Sequence, residues 1–320
     1  MSVLVTGGAG FIGSHLVDHL RQGTWGPLVV LDNFNTDYDP KFKRRNVARW
    51  LDDRQITVVD GNYGDGPLVR KLLAEHDVTH VVHLGGSPGV RESVADPTRY
   101  FQNNINHTLT LLEEIRRRPV QRFLYASSST IYGRGAPAPF AEDGPLGVPL
   151  SPYGASKRGA EILCQTYHGL HGIPVVILRL FNVYGPRLRP ELAMSVFTQA
   201  IVRGEKLPLF GDGSVRRDFA NVRDVVAGMD AALAAENVAG ETINLGNHQP
   251  VSIASVIALI EQAVGKKAVL EYHPVRGEEM PLTFADISKA KRLLGFEPRV
   301  AIAAGIAEFV DWWQESHLQR

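Results

Sequence analysis

A tyrosine and a lysine four residues apart, Tyr153 and Lys157 in SPYGASK, have the residue types to take a proton from an alcohol. At that spacing both lie on one face of a helix. A lysine ammonium near a phenol favours the phenolate and brings it towards a working general base. The same spacing also arises by chance as a surface pair on ordinary helices. Upstream, YASSSTIYG closes an apolar run with Ser127, Ser128, Ser129 and Thr130. Those hydroxyls are either turn filler or hydrogen-bond partners for a substrate. No acid stands among them.

A second chemical signal opens the chain. VLVTGGAGFIGSH spaces Gly7, Gly10 and Gly13 as G-x-x-G-x-x-G. Such glycines permit a tight turn, let the backbone approach a pyrophosphate and pack a helix close to a sheet. The helix N-terminus then offers N–H groups and a positive dipole to phosphates. A glycine triplet alone is only a glycine-rich turn. Here the next apolar run ends in Asp32, placed to accept from both hydroxyls of an adenosine ribose. A carboxylate there would repel a 2′-phosphate, which favours NAD over NADP. His15 and His19 stand four apart on the following helix. With no third ligand in view they read as structural, and no metal site is expected. Cys164, the only cysteine, reads as a buried structural thiol.

These groups need a scaffold that sets them side by side. The first half alternates apolar, β-rich runs (SVLVT, PLVVLD, QITVVDG, THVVHLGG, RFLYASS, PVVILRLFN) with helical patterns. Strands that are apolar throughout, each followed by a helix, imply a parallel sheet covered on both faces. A long helix is expected over about 92–118 and another over 153–171. The expected fold class is α/β, a Rossmann-type doubly wound parallel sheet with a smaller interleaved α/β domain. The expected division is 1–182 plus 218–247 for the sheet domain and 183–217 plus 248–320 for the smaller one. The C-terminal helix is expected to pack back on the first.

Composition narrows the function. Lys plus Arg and Asp plus Glu both number 34, so a nucleic-acid binder, which carries a basic excess, is not expected. Apolar residues make up 44% and charged residues 21%, an ordinary soluble balance. No apolar run is long enough to span a membrane and no signal peptide is read at MSVLVTGG, so a cytoplasmic protein is expected.

Five motifs in order, TGGAGFIGSH, LDNFN, YASSSTIYG, SPYGASK and LRLFNVYGP, resemble the extended short-chain dehydrogenase/reductase family. This is the family of nucleotide-sugar epimerases and dehydratases, and the resemblance covers essentially the whole chain. It implies NAD held through the catalytic cycle, a nucleoside diphosphate sugar as substrate, and a triad of Ser128, Tyr153 and Lys157. It implies cofactor contacts from Gly7, Gly10, Phe11, Ile12, Gly13, Asp32, Asn33, Asn62, Tyr63, Leu84, Gly85 and Asn104, besides Tyr153 and Lys157. Asn62 replaces an Asp often found facing the adenine. Arg217 in VRRDF and Arg276 in PVRGEEMP match arginines that clamp the diphosphate, which suits guanidinium geometry. The plainer reading of both is a solvated surface arginine.

In this family the two residues after Ser128 separate the reactions. The 4,6-dehydratases carry Asp-Glu there, and the uronate decarboxylases keep an acid at the second position. This chain has Ser129 and Thr130, whose hydroxyls cannot replace a carboxyl acid or base. That leaves 4-epimerisation. GVRESVADP and RPELAMSVFTQAI resemble the UDP-glucuronate 4-epimerases, in which residues matching Arg189, Ser128 and Ser129 lie near the sugar carboxylate. Asn182 departs from that group and matches the UDP-galactose epimerases. The expected activity is therefore NAD-dependent 4-epimerisation of a UDP-sugar, UDP-glucuronate first. UDP-glucose or UDP-N-acetylglucosamine is the alternative substrate, and a non-catalytic NAD-binding regulator is a rival class. The family also implies a homodimer built as a four-helix bundle from the two long helices.

Overall fold

The computed structural model describes residues 1–274 and 280–318. The first half of the chain runs β1 (Ser2–Thr6), α1 (Phe11–Gln22), β2 (Leu28–Asp32), α2 (Pro40–Ala48), β3 (Ile56–Asp60), α3 (Gly66–Glu75), β4 (Val78–His83), α4 (Val90–Ala95), α5 (Pro97–Phe101), α6 (His107–Arg117), β5 (Arg122–Ser128) and α7 (Pro152–His171). The second half runs β6 (Val175–Leu180), β7 (Asn182–Tyr184), α8 (Ala193–Arg203), β8 (Lys206–Phe210), β9 (Arg216–Asn221), α9 (Val222–Ala234), β10 (Thr242–Leu245), β11 (Pro250–Ser252), α10 (Ile253–Val264), β12 (Val269–His273), β13 (Leu282–Thr283), α11 (Ser288–Leu294) and α12 (Ile302–Leu318).

Seven strands form one sheet in the order β3-β2-β1-β4-β5-β6-β10. Each pairing in it is parallel. β1, β2 and β6 are buried along their whole length, because helices cover both faces. Phe11, Leu16 and Leu20 of α1 pack with Val225, Val226 and Met229 of α9 on one side. Val69 and Leu72 of α3, Leu111 and Ile115 of α6, and Ala160 of α7 fill the other. The fold is thus the doubly wound α/β sheet expected. Strand order reverses between β1 and β4, which opens a crevice beyond their carboxyl ends.

Two expected elements are divided. The helix expected over 92–118 breaks at Asp96, because the residue before a proline is pushed out of helical geometry. The Asp96 carboxylate then caps α5 by accepting from Arg99 N. A π-helical turn, Gln102–Asn106, separates α5 from α6. The run PVVILRLFN also splits. β6 stays in the large sheet, while β7 leaves it to pair with β9. β9 also pairs with β11 and β13, and β8 pairs with β12. These small sheets carry the stretches around Asn182 and Arg217. Near the C-terminus, His317 of α12 meets Phe42 of α2 with ring centroids 5.9 Å apart. Among the described residues no helix is long and apolar enough to cross a membrane.

Asp218 fastens the small sheets to the large one. It is fully buried. Its carboxylate accepts from Asn247 N at 2.6 Å, His248 N at 3.0 Å and Ala285 N at 2.9 Å. Asp218→Ala would leave three donors in the interior without their acceptor, so it is expected to cost about 3 kcal/mol. A urea midpoint equal to that of the unaltered protein would contradict this.

Candidate active site

A cavity of about 870 Å3 lies at the carboxyl ends of β1, β4 and β5. Every candidate cofactor, catalytic and substrate residue named from the sequence lines it except Arg276. Arg276 lies outside the described residues.

At one end, the glycine turn brings backbones into contact. Gly7 sits at φ +69°, and a Cβ there would lie 2.8 Å from Gly85 N. A Cβ on Gly13 would lie 2.4 Å from Gly7 O. Gly10 is the N-cap of α1 and offers no side chain to its first turn. Those amide groups are therefore left for a ligand's phosphates. Asp32, at the end of β2, accepts from Ala9 N at 3.2 Å and Phe34 N at 2.9 Å. Lys43, unforeseen in the sequence, donates to Asp32 at 3.3 Å and to Asn35 at 2.7 Å. This end of the cavity therefore carries a buried ion pair rather than a bare carboxylate. The Asp39–Pro40 cap that starts α2 is the local signal that could have placed Lys43 on an inward face.

Asn62, Tyr63 and Asn104 do structural work at the wall. Asn62 Oδ1 accepts from Gly64 N at 2.8 Å, and the Tyr63 hydroxyl donates to Asn103 O at 2.9 Å. Asn33 Oδ1 accepts from Asn35 N at 3.3 Å. The π-helical turn aims Asn104 inward. Its side chain accepts from Ser87 N at 2.8 Å and donates to Ser87 O at 3.0 Å and Ser156 Oγ at 2.9 Å. Asn104 thereby joins the loop after β4 to the residue preceding Lys157. His15 and His19 go to separate partners. His15 meets Pro186 O at 2.8 Å and His19 meets Asp230 at 3.0 Å.

Ser128 ends β5, and α7 carries Tyr153 and Lys157. Ser151 caps α7 at Gly154 N, Pro152 occupies its first turn, and Gly172 closes it in left-handed geometry. Thr130 donates to Ser128 Oγ from its amide at 3.2 Å and from its hydroxyl at 3.0 Å. Both lone-pair directions of Ser128 are thus engaged, which leaves its own proton for Tyr153. Burial raises the Tyr153 phenol above its ordinary value, while the Ser128 hydrogen bond and the Arg189 charge pull it down. Burial lowers Lys157 to about 8, against the attraction of Glu161; the Cys164 thiol beside it is itself kept protonated by burial. The Lys157 ammonium lies 4.5 Å from the centre of the Tyr125 ring. Beneath the site His83 is buried between Thr6 at 2.6 Å and Thr108 at 2.9 Å, and burial lowers it to about 3.

The opposite wall comes from the segment after β7 and from β9. Arg189 pairs with Glu191 at 3.0 Å. The segment before it is gripped by α1. Arg187 adopts φ +65°, an uncommon angle for a side-chain-bearing residue. It is held by Asp18 at 2.8 Å and Ser14 at 3.2 Å. Arg217 donates to Met280 O at 2.6 Å.

The cradle fits a dinucleotide. Its glycines allow the approach, Asp32 stands at the ribose position, and Ser127 Oγ is buried at the wall with no hydrogen-bond partner among the described residues. A doubly wound sheet with a tyrosine–lysine pair beside that cradle defines an enzyme of dinucleotide-linked alcohol and ketone chemistry. The chain belongs to the NAD dependent epimerase/dehydratase family, whose profile matches residues 3–246. It is 37% identical to a UDP-glucuronate 4-epimerase of Thermodesulfobacterium geofontis, over 98% of this chain and 96% of that protein. Among solved structures it resembles a UDP-glucuronic acid 4-epimerase from Bacillus cereus in complex with UDP-glucuronic acid and NAD. The TM-score is 0.94 and the identity 36%, over 99% of this chain and 100% of the other. A dTDP-glucose 4,6-dehydratase from Streptomyces venezuelae superposes with a TM-score of 0.92 at 30% identity, over 100% of this chain and 98% of the other. The backbone is therefore shared between two reactions, and side chains must separate them.

Two outcomes are expected of the catalytic pair. Tyr153→Phe should lower kcat by about 100-fold or more, as loss of a positioned general base does. Lys157 is charged below about pH 8 and neutral above it, so activity that needs the ammonium should decline as pH rises past 8. A kcat profile that stays flat well above that pH would contradict the assignment.

Proposed function

We propose that this protein epimerises a UDP-sugar at carbon 4 using NAD, and that the sugar is glucuronate. The observation that carries the reading is the hydroxyl cluster of Ser128, Ser129 and Thr130 at the wall that Tyr153 and Arg189 also line. None of these hydroxyls is an acid able to drive elimination at neutral pH.

In this reading the glycine turn, the α1 N-terminus and Asp32 hold NAD, which when bound supplies reversible exchange of the hydrogen at carbon 4. On substrate binding Ser128 turns its proton from Tyr153 to the oxygen on carbon 4, and the proton of that oxygen passes directly to Tyr153. Lys157 and Arg189 supply positive charge that favours the phenolate. After oxidation the 4-keto sugar turns its other face to the cofactor, and Tyr153 returns the proton. Arg217 holds the diphosphate by guanidinium contacts, with Arg276 as its expected partner.

A 4-keto uronate is a β-keto acid and loses carbon dioxide when the carboxylate bond aligns with the carbonyl. Ser129, Thr130 and Arg189 are placed to hold it out of alignment, a negative use of orientation. Two observations favour a neutral hexose or N-acetylhexosamine as the second reading: Asn182 at the wall and the Glu191 carboxylate already paired with Arg189. Parallel incubation with UDP-glucuronate, UDP-glucose and UDP-N-acetylglucosamine, resolved by chromatography, decides between them. Conversion of UDP-glucuronate to UDP-galacturonate is the expected result. Arg189→Ala should raise KM for the uronate by about tenfold or more, as loss of a charged hydrogen bond does, and release extra carbon dioxide. Exclusive turnover of a neutral sugar would overturn the uronate assignment.

The working unit in this proposal is a homodimer in the cytoplasm, a reducing setting that suits the lone buried Cys164. Phe101, Leu109 and Ile162 are exposed apolar side chains on α5, α6 and α7. α5, the π-helical turn and α6 run on as one rod, so pairing that rod and α7 with their counterparts in a second copy makes a four-helix bundle. Light scattering should give twice the chain mass, and Leu109→Glu with Ile162→Glu should give the monomer. A monomeric unaltered protein would refute the assembly.

A further inference from the structure

Below the tyrosine–lysine pair lies a polar cluster that the reaction as described does not use. Lys157, Glu161 and Cys164 succeed one another along the buried stripe of α7. Glu161 meets Arg179 of β6 in an ion pair with both side chains 4% exposed. The contact is a fork: Arg179 Nε donates to Glu161 Oε1 at 3.1 Å and Nη2 donates to Oε2 at 2.9 Å. Arg179 Nη1 donates to the Tyr132 hydroxyl at 3.0 Å, and that hydroxyl donates to Asn244 Oδ1 of β10 at 2.7 Å. Nη1 also donates to Glu142 O at 3.4 Å, so three residues hold the arginine.

An arginine does not give up its proton in a protein, whereas a buried lysine does. With Glu161 neutral, Arg179 and Lys157 would be two cations in one water-poor interior, and Lys157 would be the one to lose its charge. The other groups facing Lys157 offer no anion. Tyr125 of β5 and Cys164 are kept protonated by burial, His83 of β4 is kept neutral, and Tyr153 is raised by burial. Glu161 attracts Lys157 from one helical turn away, which is the direction opposite to the burial penalty.

We propose that Glu161 is a positioning residue for Lys157: its carboxylate, held one turn below the lysine by the Arg179 fork, offsets the arginine's own repulsion and keeps the buried ammonium charged while the enzyme works. The proposal rests on the reading of Lys157 as part of the catalytic pair. It goes beyond that reading in making a pair that touches neither substrate nor cofactor responsible for the working pH range.

The test observes Lys157 directly. Holoenzyme labelled at lysine Cε is titrated by NMR, with the Lys157 signal assigned by its disappearance in Lys157→Met. Glu161→Gln keeps the shape and removes the charge, so the Lys157 inflection should move to lower pH by about one unit or more. Arg179→Met removes a cation, so the inflection should move the other way. The high-pH decline in kcat should shift with it in each case. Opposite shifts cannot come from a general loss of stability, and either variant alone suffices if the other does not fold. Lys157 inflections that coincide with the unaltered protein would overturn the proposal and reduce the pair to a structural bridge. If the unaltered enzyme turned over none of the UDP-sugars, the functional reading would fail, yet the lysine titration would still decide this one.

Discussion

The site depends on a contact between two stretches of bare backbone. Gly7 at the end of β1 and Gly85 after β4 approach so closely that a methyl group on Gly7 would collide. Gly13 presses the start of α1 onto the same turn. Strands either side of the switch point thus end at one place, with a helix N-terminus aimed between them. The same helix reaches across to the other wall, where Asp18 and Ser14 hold Arg187, two residues before Arg189. One element therefore positions both the cofactor cradle and the candidate sugar arginine.

The chemistry is set by what is buried with it. Ser128 is oriented by Thr130, a neighbour with no acid–base capacity of its own at neutral pH. Tyr153 and Lys157 are both moved by burial away from the charged forms that proton transfer needs. Removing water strengthens every remaining charge interaction, so a few fixed groups suffice to restore them. The site is a balance between desolvation and a small set of nearby polar and charged side chains.

Shared backbone makes that balance decisive for reaction type. The similarity to both an epimerase and a dehydratase structure shows that one backbone serves either chemistry. In the proposed reading of this chain the difference lies in the two residues after Ser128. They are read most easily from sequence, because their meaning is chemical type and not conformation.

The sequence alone determined the main strands of the first half, the parallel sheet, the glycine turn and the Tyr153–Lys157 pair. Each is a local pattern, an uninterrupted apolar run or a fixed spacing, whose physical meaning does not depend on distant partners. Its failures are equally physical. Asp96–Pro97 broke an expected helix, and β7 left the large sheet because its pairing partner, β9, lies far along the chain. Lys43 against Asp32, Glu191 against Arg189, Asn104 against Ser87, and Arg179 against Glu161 were not legible. Every one is a polar residue whose role is set by which neighbour reaches it in three dimensions. Composition marks such residues as surface-prone; only tertiary packing decided their partners and buried all of them but the Arg189–Glu191 pair.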